Sequence, residues 1–226
     1  MSKKEAEVEF DKVVEARQSV RRYVPCEISE EELAEMVRAA GMAPSADNSQ
    51  NWHFVGINKA EILEDIAGVV KAKWQGVFDK LAEVDEERSL KMQKFAKHFF
   101  YFFKDASAII LAYANEIEQP VGDILEKVGE DPEVIKDHWL RRNNRMQNMG
   151  AALENLTLKA VDMGYGSCWL NALNYASPEI DAYLKEKHGF EVGDRFLAAV
   201  ISIGKPAPNP KSPKKKSIEE IFTMIG

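Results

Sequence analysis

The chain has 226 residues, 45% hydrophobic and 30% charged, a composition that suits one compact domain with a full core. Its formal charge of −7 argues against general nucleic-acid binding, its two distant cysteines and four scattered histidines offer no disulfide framework or metal-ligand spacing, and no apolar run reaches membrane-spanning length. The N-terminus, MSKKEAEVEFDK, is charged and lacks an apolar signal region, so a cytoplasmic location is expected.

Val8 to Ala16 is predicted as a helix with Phe10, Val13 and Val14 on one face. It runs into RQSVRRY, where Arg17, Ser19 and Arg21 alternate. In an extended segment these side chains share one side and can fork around a phosphate, although a solvated charge run has the same composition. After Pro25, Ser29 to Glu32 reads as a capping box opening a helix with Leu33, Met36, Val37 and Ala40 at helical spacing and Gly41 as its terminator.

That helix delivers the chain to MAPSADNSQNW, a loop dense in amide and hydroxyl groups that leads into an apolar strand, Trp52 to Asn58. Ordinary turns and polar ligand cradles use the same residues, so the loop alone does not decide between them. A second amphipathic helix follows through Ile62, Leu63, Ile66, Val69, Val70 and Trp74. Asp85 to Lys104 is then rich in aromatics, including Phe95, Phe99, Tyr101 and Phe103, which suit either a core or subunit interface or a greasy wall over a planar ligand.

Ala106 to Ala114 is a continuous apolar run, expected as a fully buried central strand, and Gln119 to Asp131 reads as polar and mobile. Asp131 and Pro132 open a helix expected to continue to Met163, greasy on two faces and stopped by Gly164. Next comes GYGSCWLN, where Gly164, Gly166 and Ser167 let backbone approach a ligand, or simply turn the chain. It follows a helix instead of a strand, so it is no dinucleotide fingerprint. Ser177 to Lys187 is a short helix and Phe196 to Gly204 a buried strand, while the prolines of Lys205 to Pro213 imply an extended run into Lys214, Lys215 and Lys216. A basic triplet on a tail is ordinarily solvated, but the apolar residues beyond it, after a second capping-box-like start at Ser217, suggest that the tail docks, with a partner subunit as one place for it.

Taken in order, RQSVRRY, the helix into APSADNSQNWHF, the long helix into GYGSCWL, the strand ending ISIGKP and the basic tail resemble the nitroreductase-like flavoprotein family. The resemblance covers nearly the whole chain. It implies an α+β fold with a central mixed or antiparallel β-sheet wrapped by helices, one domain over residues 1–226, and an intertwined homodimer with residues 205–226 packed on the partner subunit.

It also implies FMN as cofactor and NAD(P)H as reductant. By resemblance, Arg17, Gln18, Ser19 and Arg21 hold the FMN phosphate and ribityl chain, and Pro44, Ser45, Ala46, Asn48 and Gln50 with Trp52 form a loop reaching the flavin bound mainly by the other subunit. Asn51 stands where the family usually has proline. Gly166 and Ser167, with Leu170 and Asn171 beyond Trp169, are implied to lie along the isoalloxazine, and one of Lys214, Lys215 and Lys216 to reach the phosphate. Phe95, Phe99, Tyr101 and Phe103 are the candidates for the substrate pocket. The implied activity is ping-pong hydride transfer from NAD(P)H to electron-poor small molecules such as nitroaromatics or quinones, with no nucleic-acid or membrane partner and FMN carrying the chemistry. The alternatives are a specialised reductive enzyme of the same fold (dehalogenation, enoate reduction or flavin breakdown) and a flavin-binding protein without turnover.

Overall fold

In the computed structural model, the described residues are 3–115, 120–141, 143–210 and 212–226. Helix α1 (Lys3–Ala16) leads through an extended arginine segment to a two-residue strand, β1 (Tyr23–Val24), and then to α2 (Glu30–Gly41). Both halves of the capping box form: the Glu32 N–H donates to Ser29 Oγ at 3.2 Å, and the Ser29 N–H donates to Glu32 Oε2 at 2.9 Å. The helix ends at Gly41, but its closing turn is made at Met42, and Gly41 needs no left-handed backbone.

The polar loop enters β2 (Trp52–Ile57), which among the described residues pairs only with β3 and is half-buried, so the apolar strand read from the sequence is an edge strand. A helical pair follows, α3 (Ala60–Ala82) and α4 (Glu86–Phe99), and the chain returns through β3 (Ala108–Asn115), whose first seven residues are buried. The segment expected to be polar and mobile instead contains a helix, α5 (Pro120–Lys127); Gln119 lies outside the described residues. Val121, Ile124 and Leu125 give α5 an apolar stripe at helical spacing that Val128 continues just past its end, and a Cβ on Gly122 would come within 2.5 Å of the Trp139 ring, so this glycine admits a close neighbour.

That neighbour belongs to α6 (Pro132–Arg141), which starts where expected but does not run on to Met163. A new helix, α7 (Asn144–Asp162), begins with Asn143 as its cap, the Asn143 side chain accepting from the Met146 N–H at 3.3 Å. Gly164 closes α7 at φ +81°, a conformation that favours glycine. The chain continues through β4 (Gly166–Leu170), α8 (Ser177–His188), β5 (Arg195–Pro206) and one turn of helix, α9 (Ile218–Ile221).

The strands are ordered β2-β3-β5-β4, with β1 on the far end of β5, and all their pairings are antiparallel; the parallel element among the described residues is an isolated bridge between Ser19 and Ser167. Alternation along β3 divides the core. Ala108, Ile110, Ala112 and Ala114 face one cluster with Met36 and Ala40 of α2 and Met149, Leu153 and Leu156 of α7. Ile109, Leu111 and Tyr113 face a second cluster with Leu63, Ile66 and Val70 of α3 and Ile180 and Leu184 of α8. The result is a sheet between two helical layers, an α+β architecture.

Candidate functional site

Two polar segments meet the helical layer that contains α7. The first is the arginine segment, which runs extended beside the start of β4. The Val20 N–H donates to Ser167 O at 2.9 Å, and the Tyr23 hydroxyl donates to Val20 O at 2.8 Å. Val20 itself is buried, so its neighbours Ser19 and Arg21 are turned outward. A Cβ on Gly166 would lie 2.5 Å from Val20 Cγ2 and 2.8 Å from Pro206 Cγ, so only glycine lets the two strands come this close.

Arg17 faces Glu154 of α7 at 3.6 Å, while Arg21 approaches Ser19 O at 3.5 Å and lies 5.7 Å over the Phe99 ring. Among the described residues neither Arg21 nor Arg22 has a carboxylate partner. Together with Ser19 they line a cavity of about 330 Å³ closed by Ala207, Pro208, Asn209 and Pro210. Asn209 turns there at φ +54°, so the proline-rich run expected to be extended bends back over the arginines. Guanidiniums beside a hydroxyl, without carboxylates to neutralise them, suit a phosphate monoester. Burial pushes the Cys168 thiol up, with Arg21, then Ser19 and then Arg17 pulling the other way.

The second segment is the loop from Ala43 to Asn51. Asp47, Asn48 and Gln50 take φ values of 53°, 53° and 41°, a cluster of left-handed residues of which none is glycine. Asn148 of α7, only 5% exposed, holds them there. Its Oδ1 accepts from the Ala46 N–H at 3.0 Å, and its Nδ2 donates to Ser49 Oγ at 3.1 Å and Asn51 Oδ1 at 3.0 Å. Ser45 Oγ accepts from the Gln50 N–H at 3.1 Å, and Gln50 Nε2 donates to Asn48 Oδ1 at 3.1 Å. Asn51 is buried; its N–H-bearing amide reaches Asn115 O at 3.4 Å, a bond that a proline there could not make. Pro44, Asp47, Asn48 and Gln50 remain exposed along the outside.

The other sequence-derived candidates fall in several places. Gly166 and Ser167 are buried beside the arginine segment; the Leu170 side chain is in the core, leaving its backbone as the only part a ligand can meet. Asn171 is exposed and accepts from Trp169 Nε1 at 3.1 Å. Gln18 is half-buried between Arg17 and Ser19. Lys214, Lys215 and Lys216 are exposed and, among the described residues, make no hydrogen bond or ion pair. Phe99 and Tyr101 line a larger cleft of about 1090 Å³ together with Arg21, whereas Phe95 stacks on Phe99 at 4.4 Å outside it. Phe103 is a correction: it is fully buried among Leu63, Ile66 and Ile109 and cannot wall a pocket.

Arg22, Asn148 and Glu154 were not among the candidates. An asparagine inside the apolar pattern of a long helix was the available signal for Asn148, since a buried amide demands partners.

The fold is thus one sheet between helical layers, with a cationic cavity beside the arginine segment and a polar loop locked by α7. The nitroreductase family model matches residues 14–205, and the chain belongs to that family of oxidoreductases. It is similar to a BluB-like flavoprotein from Clostridium difficile 630, whose crystal structure superposes with a TM-score of 0.91 at 40% identity, over 96% of this chain and 98% of the other. A protein of Archaeoglobus fulgidus, provisionally named NADH dehydrogenase/NAD(P)H nitroreductase, is 28% identical over 198 residues, 86% of this chain and 84% of its own. The crystal structure of a nitroreductase with bound FMN from Bacteroides fragilis shares the fold, with a TM-score of 0.68 at 19% identity over 96% of this chain and 99% of that one. Among the described residues no helix is long and apolar enough to cross a membrane.

Proposed function

We propose that the protein is an FMN-dependent oxidoreductase that takes hydride from NAD(P)H and passes it to an electron-poor small molecule such as a nitroaromatic or quinone. The observation that carries this reading is the seating of Arg17, Ser19 and Arg21 against Gly166 and Ser167 through the Val20 to Ser167 bond. Bound FMN supplies the hydride chemistry. Arg17 and Arg21 neutralise its phosphate, Ser19 adds a hydroxyl donor, and the backbone beyond Ser167, through Leu170 and Asn171, lies along the ring. The locked Ser45 to Gln50 loop presents fixed amide and hydroxyl groups to the flavin held by a second copy of the chain. One lysine of Lys214, Lys215 and Lys216 completes the phosphate site.

A second copy also accounts for apolar surface that this chain leaves bare. Phe10 and Phe222 are 60% and 58% exposed, and Val14, Ile218 and Ile221 are exposed beside them in sequence. In this reading residues 205–226 pack on the partner, and the single domain of residues 1–226 functions as a homodimer.

A second reading, a specialised flavin enzyme of the same fold, is supported by the 40% identity to the BluB-like flavoprotein against 19% to the Bacteroides nitroreductase. One anaerobic experiment separates them. If the broad reductase reading is right, NADH or NADPH bleaches the flavin of purified protein, and a nitroaromatic or quinone restores the colour within the mixing time. Bleaching followed by stubborn resistance to both acceptors would favour the specialised enzyme. The double variant Arg17→Ala/Arg21→Ala is expected to purify folded and colourless; a fully yellow product would remove the phosphate role.

A further inference from the structure

The larger cleft lies between α3 and α4, and its charges are unbalanced. Glu64, Gly68, Lys71, Gln75 and Phe78 recur at spacings of three and four on α3, so they form one stripe facing the cleft, and α4 adds Lys97 across from it. Arg21 and Arg22 close the end nearest the phosphate site, and Phe99 and Tyr101 supply flat apolar wall. Glu64 is taken up by Lys104 at 2.9 Å. Arg22, Lys71 and Lys97 are then left facing Asp105, with Arg21 shared with the phosphate site, and among the described residues none of the four is ion-paired. In a chain with a formal charge of −7, so many unpaired cations around one cleft concentrate positive potential where an acidic surface would otherwise repel an anion.

We infer that this cleft selects ligands joining an aromatic ring to an anionic group, the ring lying along Phe99 and Tyr101 and the anion between Lys71 and Lys97. The inference rests on the oxidoreductase reading only in making such a ligand the electron acceptor or the nicotinamide donor; the binding itself requires no turnover. The volume of about 1090 Å³ admits either. Both sources share the same chemistry, an anionic group joined to a planar ring, directly as a carboxylate in the acceptor or through ribose as a phosphate in the donor.

Isothermal titration of the protein as purified separates the sources. The acceptor arm compares 4-nitrobenzoate with its neutral isostere 4-nitrobenzamide, and the donor arm compares NADP+ with NAD+. Binding at least tenfold tighter for the more anionic member of one pair is expected at low salt, collapsing to less than threefold in Lys71→Glu/Lys97→Glu. Both lysines are exposed helical residues whose replacement leaves the fold intact, as circular dichroism of the variant checks. A charge-matched control, Lys136→Glu/Lys185→Glu, changes two exposed lysines elsewhere and should keep the discrimination. If neither pair is discriminated in the unmodified protein, or if discrimination survives in Lys71→Glu/Lys97→Glu, the inference is overturned. The visible spectrum of the same sample reports flavin independently, so loss of the flavin reading and loss of anion selection give different results.

Discussion

The arginine segment and the Ser45 to Gln50 loop are both short, polar and exposed, yet they are fixed by opposite means. In the first, the segment is held by its backbone: the Val20 N–H bonds Ser167 O and the Tyr23 hydroxyl bonds Val20 O, Arg17 faces Glu154, and Arg21 and Arg22 are left, among the described residues, without a carboxylate partner. In the second, a buried side chain does the holding, and the backbone carries the strain in three left-handed residues. A site for a mobile anion needs free charge on a firm strand, whereas a surface that orients a planar ligand needs firm direction in its donors. In the proposed reading the arginine segment meets the first need and the loop the second.

The sharpest way to break the comparison is at Asn148. Asn148→Leu removes three hydrogen bonds and strands the Ala46 N–H and the Asn51 amide, so unfolding in urea is expected to show a loss of about 3 kcal/mol, with rapid proteolysis inside residues 45–50. Loss below about 1 kcal/mol would mean that the loop holds itself. Gly166→Ala attacks the other segment through the clash with Val20 and Pro206, at a cost of about 1–3 kcal/mol, and should weaken binding of free FMN in a fluorescence titration more than Asn148→Leu does. Asp47→Gly relieves one left-handed residue that makes no side-chain bond among the described residues, and is expected to raise stability by up to about 1 kcal/mol in the same urea assay. Arg21→Ala should move stability least, within about 0.5 kcal/mol, because the side chain is exposed and has no carboxylate partner among the described residues; a larger loss would show that its place over Phe99 is structural.

Local signals of the fold were plain in the sequence where they act over a few residues. The Ser29 and Glu32 box, the buried β3 run and the Gly164 stop all depend on near neighbours. The break between α6 and α7 was hidden because apolar spacing continues through Trp139, Leu140 and Met146, and only the capping role of Asn143 interrupts it. Helix α5 was missed because Gly122 counts against a helix until Trp139 is seen against it. In the site, the arginine alternation was readable, but the lock on the loop spans about a hundred residues of sequence, from Ala46 to Asn148, and no local pattern announces such a pairing.

Helix α7 carries both Asn148 and Glu154, six positions and about 9 Å apart at about 1.5 Å per residue, the first gripping the loop and the second facing Arg17. One rod thus serves as the shared chassis of both devices. The strained turn and Arg17 thus share one reference part, so a substitution that shifts α7 disturbs both contacts at once.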